Sequence, residues 1–158
     1  MSDSSERPVA LPWPPIVYLA AAVIAIGLGI VYPLPWLLSP LAELAFAAGI
    51  AVIVGAVAME VSAVMALRRA RTTVLPTRRP DHLVTGGPYS FTRNPIYLGN
   101  TMLLVGAGLI FGLLWFLPMA IAAAMLVNKL VVEREETVLE HRFGRAYRDY
   151  RKKARRWI

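Results

Sequence analysis

From Pro8 to Leu67 the chain contains no lysine or arginine. Within that stretch, Ile16 to Tyr32 is an uninterrupted run of apolar residues and glycine, bounded by Pro15 and Pro33. It reads as a first membrane helix, slightly short of the roughly 20 residues that cross a bilayer. Pro33, Pro35 and Ser39-Pro40 supply a turn. Leu41 to Leu67 reads as a second span, with one carboxylate near its start, Glu43, and one near its end, Glu60. A third apolar run, Ile96 to Val132, carries a single charge, Lys129. It is too long for one span and suits two short ones. Its turn is expected between Gly108 and Pro118, with Gly112 the best position.

Composition agrees with this pattern. Hydrophobic residues make up 57% of the 158, against about 45–50% apolar usage in a soluble domain. The expected fold class is all-α: an integral membrane helical bundle of about four transmembrane helices, followed by a C-terminal amphipathic helix. The first 15 residues form a polar, proline-rich lead-in, with Trp13 and Tyr18 placed as interface anchors. Arg7 alone makes a weak positive n-region and no Ala-x-Ala site follows, so the first span reads as retained rather than cleaved. Four spans put the N-terminus, the 68–95 loop and the C-terminal tail on one side. All 17 lysines and arginines then lie on that side or at its edge. The positive-inside rule makes it cytoplasmic, so both termini are expected in the cytoplasm and the protein in the inner or plasma membrane.

Several chemistries are excluded. There is no cysteine, hence no disulfide, thiol nucleophile or cysteine metal site. Two histidines, His82 and His141, do not make a zinc site, and no metal is expected.

The candidate chemistry lies where the basic loop enters the third apolar run, at Gly87 to Gly99. Pro95 suits the first position of a helix and Asn94 a preferred N-cap, so the third span should start there, capped by Asn94. Such a helix start offers free N–H groups and a partial positive charge to a carboxylate or phosphate. Tyr89, Arg93 and Tyr97 add donors nearby. A well-capped membrane helix with interfacial aromatics explains the same residues, and they alone favour that plainer reading. Glu135 and Glu136 open the charged segment 133–156, where either could bind a cation or act as a base. The plain alternative is a solvated helix start balanced by arginines. Along that segment Val132, Glu136, Leu139, Phe143, Tyr147 and Tyr150 recur on one face, and Gly144 is where the helix can break or bend. The intramembrane Glu60 either pairs with Lys129 or reaches the interface. Asn128 lies at the same level, and Asn100 is placed for a helix–helix hydrogen bond. The basic tail fits anionic lipid headgroups, at about 1 kcal/mol per residue near the surface, rather than nucleic acid.

Taken together, these residues resemble a known family. Leu83-Val84-Thr85-Gly86-Gly87-Pro88-Tyr89, then Arg93-Asn94-Pro95-Ile96-Tyr97-Leu98-Gly99, then Glu135-Glu136 with Leu139, Phe143-Gly144, Tyr147 and Tyr150, are similar to the isoprenylcysteine carboxyl methyltransferase and phospholipid methyltransferase superfamily of integral membrane enzymes. Thr72-Thr73-Val74 and Pro76 fit the segment before the motif. The resemblance covers about residues 70–158. It implies one domain over 1–158, with 1–67 a two-helix anchor and 68–158 a cofactor-binding catalytic half. It implies S-adenosyl-L-methionine (SAM) as cofactor on the cytosolic side. Asp81, His82, Leu83, Val84 and Tyr89 would line the pocket, and Asn94, Pro95, Ile96 and Tyr97 would hold the methionine end. Glu135 or Glu136 would meet the ammonium or ribose, and one could take a proton from an acceptor. Arg134 or Lys129 would approach that acceptor. The family often has histidine where this chain has Asn94, which can donate a hydrogen bond but cannot titrate near neutral pH.

The implied function is SAM-dependent methyl transfer to a membrane lipid or other lipophilic acceptor: an isoprenylcysteine-type carboxylate, a phospholipid amine or a thiol. Two other readings stand beside it. Sterol reductases share a related C-terminal segment and use NADPH, but they are much longer. A non-enzymatic membrane protein with a lipid-docking basic tail explains the spans and the tail but not the coincidence of the two motifs. The oligomeric state is open.

Overall fold

The computed structural model describes residues 13–72 and 81–158. The polar lead-in before Trp13, and Thr73, Val74 and Pro76, lie outside the described residues. Helix α1 spans Trp13–Val31 and α2 spans Leu41–Arg69. After a short 3-10 turn at Gly87–Ser90 comes α3, Pro95–Phe111. Helix α4, Phe116–Val127, runs through a π-helical turn, Asn128–Val132, into α5, Glu133–Phe143. Helix α6 spans Arg145–Lys153. Among the described residues the nearest thing to a sheet is one isolated bridge between Thr92 and Arg155.

The apolar runs became helices because a bilayer leaves no other way to satisfy the backbone of a single chain segment. Segments Pro14–Val31, Leu41–Arg69 and Phe116–Phe143 are each long and apolar enough to cross a membrane. The α3 helix, also apolar, is shorter at 17 residues. The chain is therefore an all-α membrane bundle. Its first helix starts earlier than the prolines suggested. Pro14 and Pro15 sit in the first turn of α1, where a missing N–H costs nothing.

Large apolar side chains point outward, as on a lipid-facing surface: Leu19, Ile30 and Leu44 are all exposed. The interior is built mainly from small residues. Ala25, Ala56, Ala63 and Ala120 are completely buried. With no hydrophobic drive between helices in lipid, close backbone approach has to supply the packing. The α2/α3 seam does this through Gly49 and Gly106. A Cβ on Gly106 would lie 2.6 Å from Ile53 Cγ1 and 3.0 Å from the Gly49 carbonyl oxygen. Helices α1 and α4 pack through Val17, Ala21, Ala120, Ala123 and Val127. The Tyr18 hydroxyl of α1 reaches α3, donating to the Tyr97 carbonyl at 3.0 Å and lying 2.8 Å from Thr101 Oγ1.

The turn of the second hairpin falls at Gly112, as its sequence suggested. Gly112 takes a left-handed φ of 66°, which ends α3. Asn100, placed from sequence for an interhelical bond, instead donates within α3 to the Ile96 carbonyl at 2.9 Å. The charged C-terminal segment breaks at Gly144, which has φ 50°. The break lets α6 fold back, so that Tyr147, Tyr150 and Ala154 pack with Leu83, Tyr89, Leu139 and Phe143.

Candidate active site

Pro95 begins α3, with Asn94 at the cap position. The Asn94 side chain, however, makes no capping hydrogen bond. Its Nδ2 donates to the Arg156 carbonyl at 2.9 Å. That bond uses the amide N–H, and it ties the side chain to the C-terminal segment, which runs beside residues 91–94. Arg93 N–H donates to the Arg155 carbonyl at 2.8 Å, and Arg155 N–H to the Phe91 carbonyl at 3.1 Å. Thr92 Oγ1 donates to the Arg156 carbonyl at 3.3 Å. Trp157 Nε1 donates to Asn128 Oδ1 at 3.2 Å, inside the π turn. The tail therefore acts as a strap across the start of α3 and the top of α4.

Two adjacent glutamates meet opposite fates here. Glu136 is buried and clamped. Arg93 NH2 lies 2.7 Å from Glu136 Oε1, and Arg156 NH2 lies 2.6 Å from Glu136 Oε2. The bond to the carboxylate strengthens the hold of Arg156 on its own proton, raising its pKa. Arg93 also donates to the Ala154 carbonyl at 2.9 Å. On this side a polar groove of about 310 Å³ opens between α5 and α6, lined by Glu136, Glu140, Arg151 and Arg156.

Glu135 faces the other way. Its Oε1 accepts a hydrogen bond from the Tyr97 hydroxyl at 2.8 Å. It forms no ion pair among the described residues, and no described donor reaches its Oε2. Tyr89 lies close enough for the Glu135 charge to add to the burial that pushes its hydroxyl pKa up. Tyr150 donates to the Tyr89 carbonyl at 2.7 Å. Burial pushes the Tyr150 hydroxyl up to about 12, so it stays a neutral donor. Tyr89, Tyr97 and Glu135 thus converge where α3 and α5 meet the loop.

The remaining sequence candidates are scattered. Asp81 and His82 are exposed. The backbone N–H of Asp81 donates to Thr72 Oγ1 at 3.0 Å, and its carboxylate lies 3.3 Å from Arg142 NH2. Leu83 packs against the cluster of Tyr147, Tyr150 and Ala154, and Val84 is partly buried beside it in sequence. Ile96 is partly buried and Pro95 fully buried. Arg134 and Lys129 are both exposed. Lys129 makes no ion pair with Glu60, whose Oε1 is buried without a partner among the described residues. Sequence reasoning missed the strap, and with it Arg156 and Trp157. Their only signal was that a basic run ends in an aromatic and an aliphatic residue.

The fold and this junction define an all-helical membrane protein with a polar convergence at the end of its bundle. The family model for phospholipid methyltransferases matches residues 44–146, from the first turn of α2 into α6. The chain belongs to that family of membrane methyltransferases, part of the superfamily that includes the isoprenylcysteine carboxyl methyltransferases. It is also 37% identical over 63 residues to a protein of Haemophilus influenzae described only as uncharacterized, a match covering 40% of this chain and 79% of that one.

Proposed function

We propose that the protein transfers a methyl group from SAM to a lipophilic acceptor at the membrane surface. The observation that carries this reading is the Tyr97–Glu135 contact at 2.8 Å, which joins the two sequence motifs into one site. The residues present fit the cofactor. The second carboxylate oxygen of Glu135 suits an ammonium or ribose hydroxyl. The first-turn N–H groups of α3 lack a capping side chain, and such groups suit a carboxylate. Tyr89 offers an aromatic wall beside them. When bound, SAM supplies an electrophilic methyl group.

The chain's own residues then bind and orient. Tyr97 fixes the Glu135 carboxylate, and the Glu136 clamp fixes the helix that carries it. The strap ties the start of α3 to α5 through Arg156. Methyl transfer needs little covalent help, and orientation can supply about 7–11 kcal/mol in the best cases. A lipophilic acceptor reaches the site sideways from the bilayer, between helices. The acceptor classes are an isoprenylcysteine-type carboxylate, a phospholipid amine and a thiol. Both termini face the cytoplasm in this reading, because the basic residues gather at that end. The exposed Arg145, Arg148 and Lys152 of α6 then meet anionic headgroups.

The test is calorimetry of SAM against purified protein, with NADPH as control, followed by incubation of membranes with labelled SAM. Saturable SAM binding and label in the lipid fraction are expected. NADPH binding in place of SAM, or no binding of either, overturns the reading.

A further inference from the structure

Glu60 lies nine residues before the end of α2, roughly 13 Å along the helix at 1.5 Å per residue. Its Oε1 is buried and has no hydrogen-bond partner among the described residues. The residue as a whole remains partly exposed, so the carboxylate sits at the edge of the α2/α3 seam and not sealed within it. It rests in a notch that exists because residue 99 is glycine. A Cβ on Gly99 would lie 2.5 Å from Glu60 Cγ and 2.7 Å from Oε1. No lysine, arginine or histidine forms an ion pair with Glu60 among the described residues. An intramembrane carboxylate costs several kcal/mol unless something pairs with it, and nothing in the described chain does.

The notch is also close in depth to the proposed cofactor site. Gly99 is two residues beyond Tyr97, about 3 Å along the axis of α3. The Tyr97 hydroxyl holds Glu135, and the Tyr97 carbonyl takes the Tyr18 hydroxyl from α1. One turn of α3 therefore carries the cofactor-side contact, at Tyr97, and the notch that receives the orphaned carboxylate of α2, at Gly99.

We propose that Glu60 and the Gly99 notch form the head-group subsite for the methyl acceptor. The subsite takes an amphiphile whose head donates a hydrogen bond, an amine or a hydroxyl, and disfavours a carboxylate. The proposal rests on the methyltransferase reading for the word acceptor, but the subsite itself does not need the cofactor. A charge-assisted hydrogen bond to Glu60 in apolar surroundings supplies the binding. A carboxylate head would instead face a like charge with no cation of the described residues between.

The test uses the full chain in detergent, without cofactor. Dicyclohexylcarbodiimide, which reacts with carboxyl groups in apolar surroundings, is added, and the adduct at Glu60 is mapped by peptide mass spectrometry. Labelling is repeated with N,N-dimethyldodecylamine, dodecanol or dodecanoate. Glu60 is expected to be labelled. The amine or dodecanol, at about ten times its Kd, should slow labelling about tenfold, while dodecanoate at the same concentration leaves it within about twofold. The first two arms tell an amine site from a hydroxyl site. An unlabelled Glu60, or equal protection by all three, means that the carboxyl group serves only the helix seam and overturns the proposal. Glu60→Gln should keep the wild-type affinity for SAM in calorimetry. If neither form binds SAM while the protection pattern holds, the methyltransferase reading fails and the subsite stands.

Discussion

The two faces of α5 carry neighbouring glutamates with opposite surroundings. On the strap side, Glu136 is held by two guanidiniums and has no oxygen to spare. On the loop side, Glu135 has one neutral donor, Tyr97, and, among the described residues, one unclaimed oxygen. The two residues are chemically identical and adjacent in sequence. About 100° of helix rotation separates them, enough to make one a structural clamp and leave the other available to a ligand. A buried carboxylate with matched cations is expensive to break but does little chemistry. A carboxylate with a free lone pair is the one that can recognise something new.

The largest expected effect breaks the clamp. Glu136→Ala leaves the Arg93 side chain, only 10% exposed, without its anion. Removing one partner of such a buried pair costs about 3–5 kcal/mol. Thermal unfolding in detergent should show a drop of about 6 °C or more, at 2–4 °C per kcal/mol for a chain of this size. A shift below about 2 °C would mean the clamp is not what holds the strap.

A smaller loss is expected in the membrane half, away from both glutamates. Gly106→Val forces atoms into Ile53 and the Gly49 backbone. Overpacking of this kind costs about 1–3 kcal/mol. The same melting experiment should detect it, with SAM affinity of the surviving folded fraction unchanged.

Tyr97→Phe sharpens the loop side. It removes a single hydrogen bond to Glu135, worth about 1 kcal/mol. Calorimetry should show SAM bound roughly fivefold more weakly, with little change in melting. The smallest effect is at the rim. Asp149 pairs with Arg145 at 3.8 Å and Lys152 at 3.2 Å, all well exposed. Asp149→Ala should shift stability by less than about 0.5 kcal/mol, and a larger change would show that α6 depends on those pairs.

The helices were legible because lipid imposes one solution on an apolar run, and because Pro95, Gly112 and Gly144 mark ends that only such residues make cheaply. The inward face of the C-terminal segment was legible for the same kind of reason. Tyr147, Tyr150, Phe143 and Leu139 recur at helical spacing and do pack together. The site was legible only in outline. Periodicity could place Glu135 and Glu136 at the head of α5, but not say which would be clamped. That is decided by Arg156, 20 positions away in sequence, through a strap with no repeating pattern. Asn94 was read correctly as a cap position and wrongly as a capping side chain. Local propensity could not foresee that the amide would be turned to donate to the Arg156 carbonyl. Glu60 was ambiguous for a similar reason. Its setting depends on Gly99, and sequence alone does not reveal that the two residues face each other.

The central claim is that Glu135 belongs to a ligand and Glu136 to the fold. Calorimetric titration of SAM into Glu135→Gln, run beside its melting curve, tests this most directly. The account predicts affinity lowered about tenfold or more, the scale of one charge-assisted bond, and a melting temperature within about 2 °C of wild type. SAM affinity equal to wild type in a folded Glu135→Gln protein would contradict it.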